Sequence, residues 1–181
     1  MFVKVRSLLF LIIFSVFTCF SQEGIENESD SAITFIIKNL GFNVEGRFND
    51  FTVLSNFNID NLEESFINVE IRVKSIFTDV ALRDEHLLKS DYFDVDTHPK
   101  IVFESLGIEK TSKAAYIIKG SLLMKGIKKK VESPLVIEDT EKYLRFTANF
   151  TLNRKDFGVG GSSFILSKNV NIKMIYVTVK N

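Results

Sequence analysis

The sequence predicts an all-β protein, an antiparallel barrel of seven or eight strands with one short helix. Between Ile67 and Val73, apolar side chains occupy the odd positions and polar side chains the even ones, and segment 144–152 alternates in the same way. This period of two is typical of a strand with one buried and one exposed face. Such a set of strands forms either a closed barrel or a two-sheet sandwich. An immunoglobulin sandwich is disfavoured because the chain has no tryptophan and no cysteine beyond Cys19.

The remaining elements follow from the same pattern and from turn residues. Segment 80–90 alone is typical of a helix, with Thr78 or Asp79 as its N-cap and Pro99 closing the loop after it. Gly-containing or polar turns at 125–126, 138–141, 160–162 and 167–169 separate the later strands. Strands are predicted at 33–38, 44–59 with a bend near Asn49 and Asp50, 67–73, 100–108, 115–124, 130–137, 144–152 and 170–180.

Residues 1–21 have the pattern of a secretory signal peptide. Lys4 and Arg6 precede the apolar run 8–17, and small residues near Ser21 provide a cleavage site. The run is about 10 residues long, which is shorter than the roughly 20 that cross a bilayer as a helix. We therefore expect an exported protein, in the periplasm or outside the cell, with no integral membrane span.

The region after the leader is expected to be one domain without disulfides. Cys19 is the only cysteine, and anchoring through a lipidated Cys19 is disfavoured because Phe17 and Thr18 before it fit a lipoprotein signal poorly. Segment 22–30 is acidic and has few apolar residues, which predicts a short flexible lead-in. Residues 31–181 then form a single β-barrel domain.

Charge and motifs argue against several classes of function. The exported chain has 21 basic and 23 acidic side chains, a net charge of −2, which gives no general footprint for nucleic acid. With His86 and His98 as its only histidines and no serine-hydrolase, zinc-protease or phosphate-loop motif, the chain is expected to be no enzyme and to bind neither metal nor cofactor. A membrane-spanning barrel is disfavoured because Arg72, Lys74 and Arg145 face outward, at roughly 2–4 kcal/mol for a cation at the bilayer midplane.

Phenylalanine gives the barrel an aromatic interior. Thirteen of the 18 phenylalanines lie after the leader, and many occupy inward-facing positions. A small barrel lined in this way is either filled by its own side chains or holds an apolar guest. The residues alone leave both outcomes open.

Six segments, taken together, resemble the YceI-like family of secreted bacterial proteins. They include the helical region 75–95 and the blocks ITFIIKNLG (33–41), VEGRF (44–48), PKIVFES (99–105), GSLLMKGIKK (120–129) and NRKDFG (153–158). The resemblance runs from Ser31 to about Lys180 and implies a lipocalin-like eight-stranded β-barrel that binds polyisoprenoid lipids. The chain departs from the family at Asn39, where a histidine is common, and at Leu88, where a basic residue is usual.

The function expected on this basis is a secreted or periplasmic lipid-binding protein, which carries or sequesters a long apolar lipid, a polyisoprenoid or a quinone, in the lumen. Burial of a chain gains about 0.8 kcal/mol per CH₂, which offsets the cost of association. The lumen-lining candidates, chosen by the phase of alternation, are Phe35, Ile37, Phe48, Val69, Ile71, Val73, Phe103, Leu122, Phe146, Phe150 and Ile172.

Cationic side chains are candidates for contact with a head group at the mouth, because guanidinium and ammonium groups suit an anionic phosphate. An alternative is that Arg83 pairs with Asp84 and Arg154 with Asp156, and that a histidine is held by structural hydrogen bonds. The candidates are Arg83, His86, Arg154 and Lys155.

Two alternatives to lipid carriage stay open at this stage. One is an extracellular interaction module without a cavity, which would recognise its partner through its loops. The other is an uncharacterised hydrolase. Transient contact with a membrane is compatible with the sequence, which does not define an oligomeric state.

Overall fold

The structure is a computed structural model that describes residues 30–180. The predicted signal peptide and residues 22–29 of the predicted lead-in lie outside this range. The described chain forms ten strand segments and one α-helix: β1 Ala32–Asn39, β2 Phe42–Phe48, β3 Phe51–Asn56, β4 Phe66–Arg72, β5 Ile76–Phe77, α1 Ala81–Leu87, β6 Lys100–Lys110, β7 Ala115–Met124, β8 Ile127–Asp139, β9 Tyr143–Asn153 and β10 Leu166–Val179. Short 3₁₀ helices at Val73–Ser75 and Arg154–Phe157 interrupt the strands.

The ten segments make eight antiparallel strands, because β2 continues into β3 and β4 continues into β5. The first pair bends at residues 49–50 and the second at the 3₁₀ turn. Phe48 of β2 is opposite Ile76, and Phe51 of β3 is opposite Ile71, so one bent strand runs along the other. The Asn49 amide donates to the Ser75 carbonyl oxygen at 3.1 Å and bridges the bend.

These pairings close the sheet into a barrel. The sheet order is β3-β4-β6-β7-β8-β9-β10-β1-β2-β5, and chain continuity between β2 and β3 joins its two ends. At the open end lie the β1–β2 turn, the start of β10 and helix α1, whereas the β8–β9 turn lies at the closed end. The prediction of an antiparallel eight-stranded barrel with one short helix is confirmed.

Several predicted boundaries were wrong. The bent strand ends at Asn56 and not at residue 59, and the last strand begins at Leu166, four residues before the predicted start. The helix covers only Ala81–Leu87, and its N-cap is Val80 instead of Thr78 or Asp79. The Thr78 hydroxyl is not available to cap the helix because it donates to Asp84 Oδ1 at 2.5 Å. Beyond Leu87 the chain reverses, and the Leu87 carbonyl oxygen accepts from the Phe93 amide at 3.1 Å.

Aromatic side chains fill the closed end of the barrel. Phe57 contacts Tyr116 and Phe146 edge to face, with ring centroids 5.7 and 5.5 Å apart, and Phe146 stacks on Tyr176 at 5.7 Å. Such pairs add about 0.5–1.5 kcal/mol each to simple burial. We call these four residues the aromatic floor. The floor fills the end of the barrel opposite helix α1.

Candidate functional site

A cavity of about 530 Å³ occupies the open half of the barrel beneath helix α1. This volume is within the range of about 300–1,000 Å³ that is usual for small-molecule sites. Of the 25 residues on its wall, 18 are apolar. At roughly 30 Å³ for each water-sized group, the cavity accepts about 18 such groups. An apolar tail of that size therefore fits inside the lumen.

A second, smaller cavity lies deeper in the barrel. Its volume is about 100 Å³. Its wall includes Ile33 and Phe103, together with Phe146, which belongs to the aromatic floor. Ile172 lines both cavities. The two spaces are therefore adjacent at this side chain, and a chain that passes Ile172 extends towards the floor.

Two glycines allow large aromatic rings to lie flat against the wall. Phe35 is opposite Gly46, and a Cβ at position 46 would lie 2.2 Å from the Phe35 Cζ. On the other side of the barrel, a Cβ at Gly120 would lie 2.3 Å from the Phe103 ring. Each ring thus occupies the space that a side chain at the glycine would need. Because the rings lie against the glycines, they do not project into the lumen, and that space stays free.

Residues 78–95, which we call the cap, cover part of the open end. Arg83 donates from Nε to the Thr78 hydroxyl at 2.7 Å and from Nη2 to the Thr78 carbonyl oxygen at 2.6 Å. Asp84 accepts from the Thr78 amide at 2.9 Å. Phe93 packs edge to face on Phe48 of the barrel, with centroids 6.2 Å apart. These contacts fix the cap, and Arg83 with it, over the cavity.

A second segment, residues 154–166, which we call the arginine loop, completes the mouth. Arg154 is only 4% exposed. Its guanidinium donates to five carbonyl oxygens, those of Val159 at 2.6 Å, Gly160 at 2.7 Å, Ser167 at 2.8 Å, Gly161 at 3.1 Å and Leu166 at 3.2 Å. Burial lowers the pKa of Arg154, and the interaction with Tyr92 opposes this effect only in part. The loop is therefore built around one buried cation.

Gly160 joins the arginine loop to the cap. Its φ of +69° is in the left-handed region, and a Cβ there would lie 2.7 Å from the Tyr92 ring and 3.0 Å from Arg154 Nη1. Its amide donates to the Asp91 carbonyl oxygen at 2.8 Å. Only glycine meets both requirements, so position 160 fixes how closely the two segments approach.

His86 is an exposed residue of the cap that lines the mouth of the cavity, where it contacts Asp91 and Tyr92. Its Nε2 is 3.1 Å from Asp91 Oδ2, and its ring meets the Tyr92 ring edge to face at 5.0 Å. Desolvation acts to raise the pKa of Asp91, but the hydrogen bond and the charge interaction with His86 outweigh it, so the pKa is lowered. The pair orients Tyr92, which lines the cavity.

Asn39, at the end of β1, supplies an unused acceptor at the cavity wall. Its Oδ1 is buried and has no hydrogen-bond partner among the described residues. A buried polar atom without a partner costs about 1–3 kcal/mol. A guest with a donor group near Asn39 would recover that cost.

Ten of the eleven lumen candidates line one of the two cavities. Phe35, Ile37 and Phe48 line the main cavity, and Ile172 lines both cavities. Val73 is an exception: it belongs to the 3₁₀ turn, is 1% exposed and reaches neither cavity. Whether these residues contact a lipid stays a prediction. The remaining six candidates line the deeper cavity: Val69, Ile71, Phe103, Leu122, Phe146 and Phe150.

Of the four head-group candidates, Arg83, His86 and Arg154 lie on the wall of the main cavity. Lys155 is exposed and does not line it. The alternative ion pairs do not form either. Arg83 and Asp84 both bind Thr78, and Asp156 accepts from Asn153 Nδ2 at 3.2 Å while Arg154 binds carbonyl groups.

Sequence reasoning missed several residues of the wall. Val44, Leu152 and Val170 have the same phase as the candidates on their strands, so the alternation could have identified them. Thr78 and Tyr92 gave no such signal, because they lie in irregular segments whose side-chain directions follow from tertiary contacts.

The mouth is surrounded by exposed apolar side chains, which we call the rim: Leu40, Phe42, Val80, Leu82, Phe164 and Ile165. Phe164 is fully exposed, Leu82 is 79% exposed and Phe42 is 77% exposed, and these are the three largest exposures among the large apolar residues described. The Leu40 amide donates to the Ile165 carbonyl oxygen at 2.8 Å, which joins the two sides of the rim. Val80, Leu82 and Ile165 also line the cavity, so rim and lumen are continuous.

Within 30–180, no helix combines the length and apolar character needed to cross a membrane. The same residues contain no group of three or more side chains arranged to hold a metal ion.

Comparisons with known proteins agree with the barrel fold and with the family that the sequence segments resemble. Residues 26–178 match the model of the YceI-like domain. A UPF0312 protein of Pseudomonas savastanoi pv. phaseolicola is 32% identical over 149 residues, which is 76% of this chain and 76% of that protein.

Two solved structures share the fold. BcnA of Burkholderia cenocepacia superposes with a TM-score of 0.80 at 22% identity, covering 84% of this chain and 98% of BcnA. A polyisoprenoid binding domain from Saccharophagus degradans superposes with a TM-score of 0.67 at 10% identity, covering 86% and 97% of the two chains. With a family model that matches nearly the whole described chain, this protein belongs to the YceI-like family.

Proposed function

We propose that this protein is exported and binds one long apolar lipid of the isoprenoid type, as a carrier or sequestering protein in the periplasm or outside the cell. The observation that carries the proposal is the apolar cavity of about 530 Å³, which lies at the open end of the barrel and is continuous with the rim. Ten buried carbons gain roughly 8 kcal/mol, which is comparable with the 4–15 kcal/mol cost of association. Each further CH₂ in the lumen adds about 0.8 kcal/mol, so a tail that fills the cavity binds more tightly than one of ten carbons.

The isoprenoid class is supported by the solved neighbour from Saccharophagus degradans, which is a polyisoprenoid binding domain. The tail would lie against Phe35 and Ile172, which are paired across β1 and β10, and the head would remain at the cap. We propose binding without catalysis, because the polar groups of the cap and the arginine loop hold these segments in place through hydrogen bonds.

We also propose that the rim contacts a membrane transiently during exchange of the lipid. A long apolar lipid is nearly insoluble in water, so it has to be taken from a lipid surface or returned to one. Apolar side chains such as Phe42 and Phe164 at the edge of the cavity would shorten its path through water.

Mass spectrometry tests the proposed function. The protein is purified without detergent from the periplasm or medium, and its organic extract is compared with that of a variant whose lumen is blocked at Ile172. We expect an isoprenoid lipid at about one molecule per protein in the wild type alone. An extract without lipid, together with no uptake of added farnesol, would contradict the proposal.

A further inference from the structure

The wall of the main cavity carries cationic groups and no carboxylate. Its titratable residues are Arg83, His86, Tyr92 and Arg154, and neither aspartate nor glutamate is among the residues that line it. Around a cavity this apolar, a charge is stabilised less by water than at the open surface. The positive charge on the wall therefore affects which head-group charge the cavity can bind.

Neither guanidinium forms a direct ion pair with a carboxylate among residues 30–180. The five acceptors of Arg154 are all carbonyl oxygens, and Arg83 donates to the hydroxyl and the carbonyl oxygen of Thr78. The ion pairs of the described residues involve other side chains, such as Arg72 with Asp50 and Lys100 with Glu70. Asp84, the nearest acid in sequence to Arg83, accepts from the Thr78 amide and hydroxyl, and the same hydroxyl accepts from Arg83, so the carboxylate is linked to the guanidinium only through Thr78. Carbonyl dipoles stabilise a cation, but they leave its net charge in place.

We infer that the lipid head group is an anion, a phosphate or a carboxylate, which binds at the cap end of the cavity beside Arg83 and Arg154. This inference rests on the proposed function and defines its substrate class. A neutral hydroxyl or quinone head would accept a hydrogen bond there without neutralising either charge. A phosphate would do both, because charge-assisted hydrogen bonds are stronger than neutral ones. The unused acceptor of Asn39 suits a head that also has a hydroxyl hydrogen.

The two arginines have different structural roles. Arg154 is buried and holds the arginine loop, so its replacement disturbs the loop as well as the charge. Arg83 is half-buried and donates to Thr78 alone, so its replacement removes fewer contacts and makes it the better position for a test. Glu85 is on the same helix, is exposed and does not line the cavity, which makes Glu85→Gln a matched control.

Isothermal titration with farnesyl phosphate and farnesol separates the head from the tail, because the two compounds share one tail. We expect the wild type to bind the phosphate at least about tenfold more tightly, the factor that one charge-assisted hydrogen bond provides. Arg83→Gln should remove most of this preference, so that the ratio of the two affinities approaches one. Arg83→Lys should retain part of the preference, and Glu85→Gln all of it.

Three results would overturn the inference in distinguishable ways. Equal affinity for both compounds would leave the proposed lipid site intact and exclude an anionic head. Saturable binding of inorganic phosphate at the same affinity as farnesyl phosphate would assign the cations to a free anion. If neither compound binds, the proposed function itself fails.

Discussion

Arg154 Nη1 lies 2.6 Å from the carbonyl oxygen of Val159, and both residues are buried. This bond and four others to backbone carbonyls hold the arginine loop closed around the guanidinium. We therefore expect Arg154→Met to leave several carbonyl groups without partners and to lower the free energy of unfolding by about 3 kcal/mol. Urea denaturation measures this change.

Lys155→Met is the matched control, because Lys155 is the next residue and is exposed. It should change the free energy of unfolding by less than about 0.5 kcal/mol. Hydrogen exchange should accelerate in the loop of the Arg154 variant alone. Equal stability of the two variants would show that the buried guanidinium does not hold the loop.

Replacement of Gly46 by alanine should close part of the cavity without unfolding the barrel. The new Cβ displaces the far end of the Phe35 ring, which has empty lumen beside it. We expect weaker binding of farnesol, measured by titration, with a change in stability of about 1 kcal/mol or less. Gly107→Ala is the control because nothing lies within 4 Å of a Cβ there. If a second change, Phe35→Leu, fails to restore binding, the ring does not limit the cavity.

A tryptophan at Ile172 should obstruct the lumen where the two cavities meet. We expect farnesol to bind at least about tenfold more weakly, since the loss of only two buried CH₂ groups costs about 1.6 kcal/mol. Lys173→Trp adds the same ring one residue later on β10, at an exposed position. Unchanged binding in Ile172→Trp would place the guest elsewhere.

Serine at Phe42 and Phe164 should weaken contact with lipid surfaces. Flotation with phosphatidylcholine vesicles is the measurement, and we expect binding that salt does not reduce, because apolar burial drives it. Leu106→Ser is the control, since Leu106 is 66% exposed at a bulge of β6 outside the rim. Loss of flotation in the control variant to the same degree would argue against a role for the rim.

The barrel was predictable because one pattern recurs on most of its strands. The period of two places Ile67, Val69 and Phe146 inside the barrel. The structure agrees, because each of these side chains is less than one-tenth exposed. The pattern fails where a strand changes register. At the bulge between Ser105 and Gly107 the phase of β6 reverses, so that Ile108 is buried although it is out of step with Phe103.

The candidate site was less predictable, because its polar residues bind backbone groups that no sequence pattern marks. Nearest opposite charges suggested that Arg154 pairs with Asp156. The structure instead places the guanidinium among carbonyl oxygens of a loop whose path depends on Gly160 and Tyr92. The N-cap of α1 was missed for a similar reason, since Thr78 is held by Asp84 and Arg83.

Methyl NMR during titration with farnesol tests most directly whether an apolar tail lies inside the barrel. Ile36 and Ile37 are adjacent on β1, and only Ile37 lines the main cavity. We predict that the methyl resonances of Ile37, Val170 and Ile172 shift in a saturable manner, while those of Ile36 do not. Shifts confined to rim residues such as Leu40 and Leu82, or no shifts at all, would contradict the account.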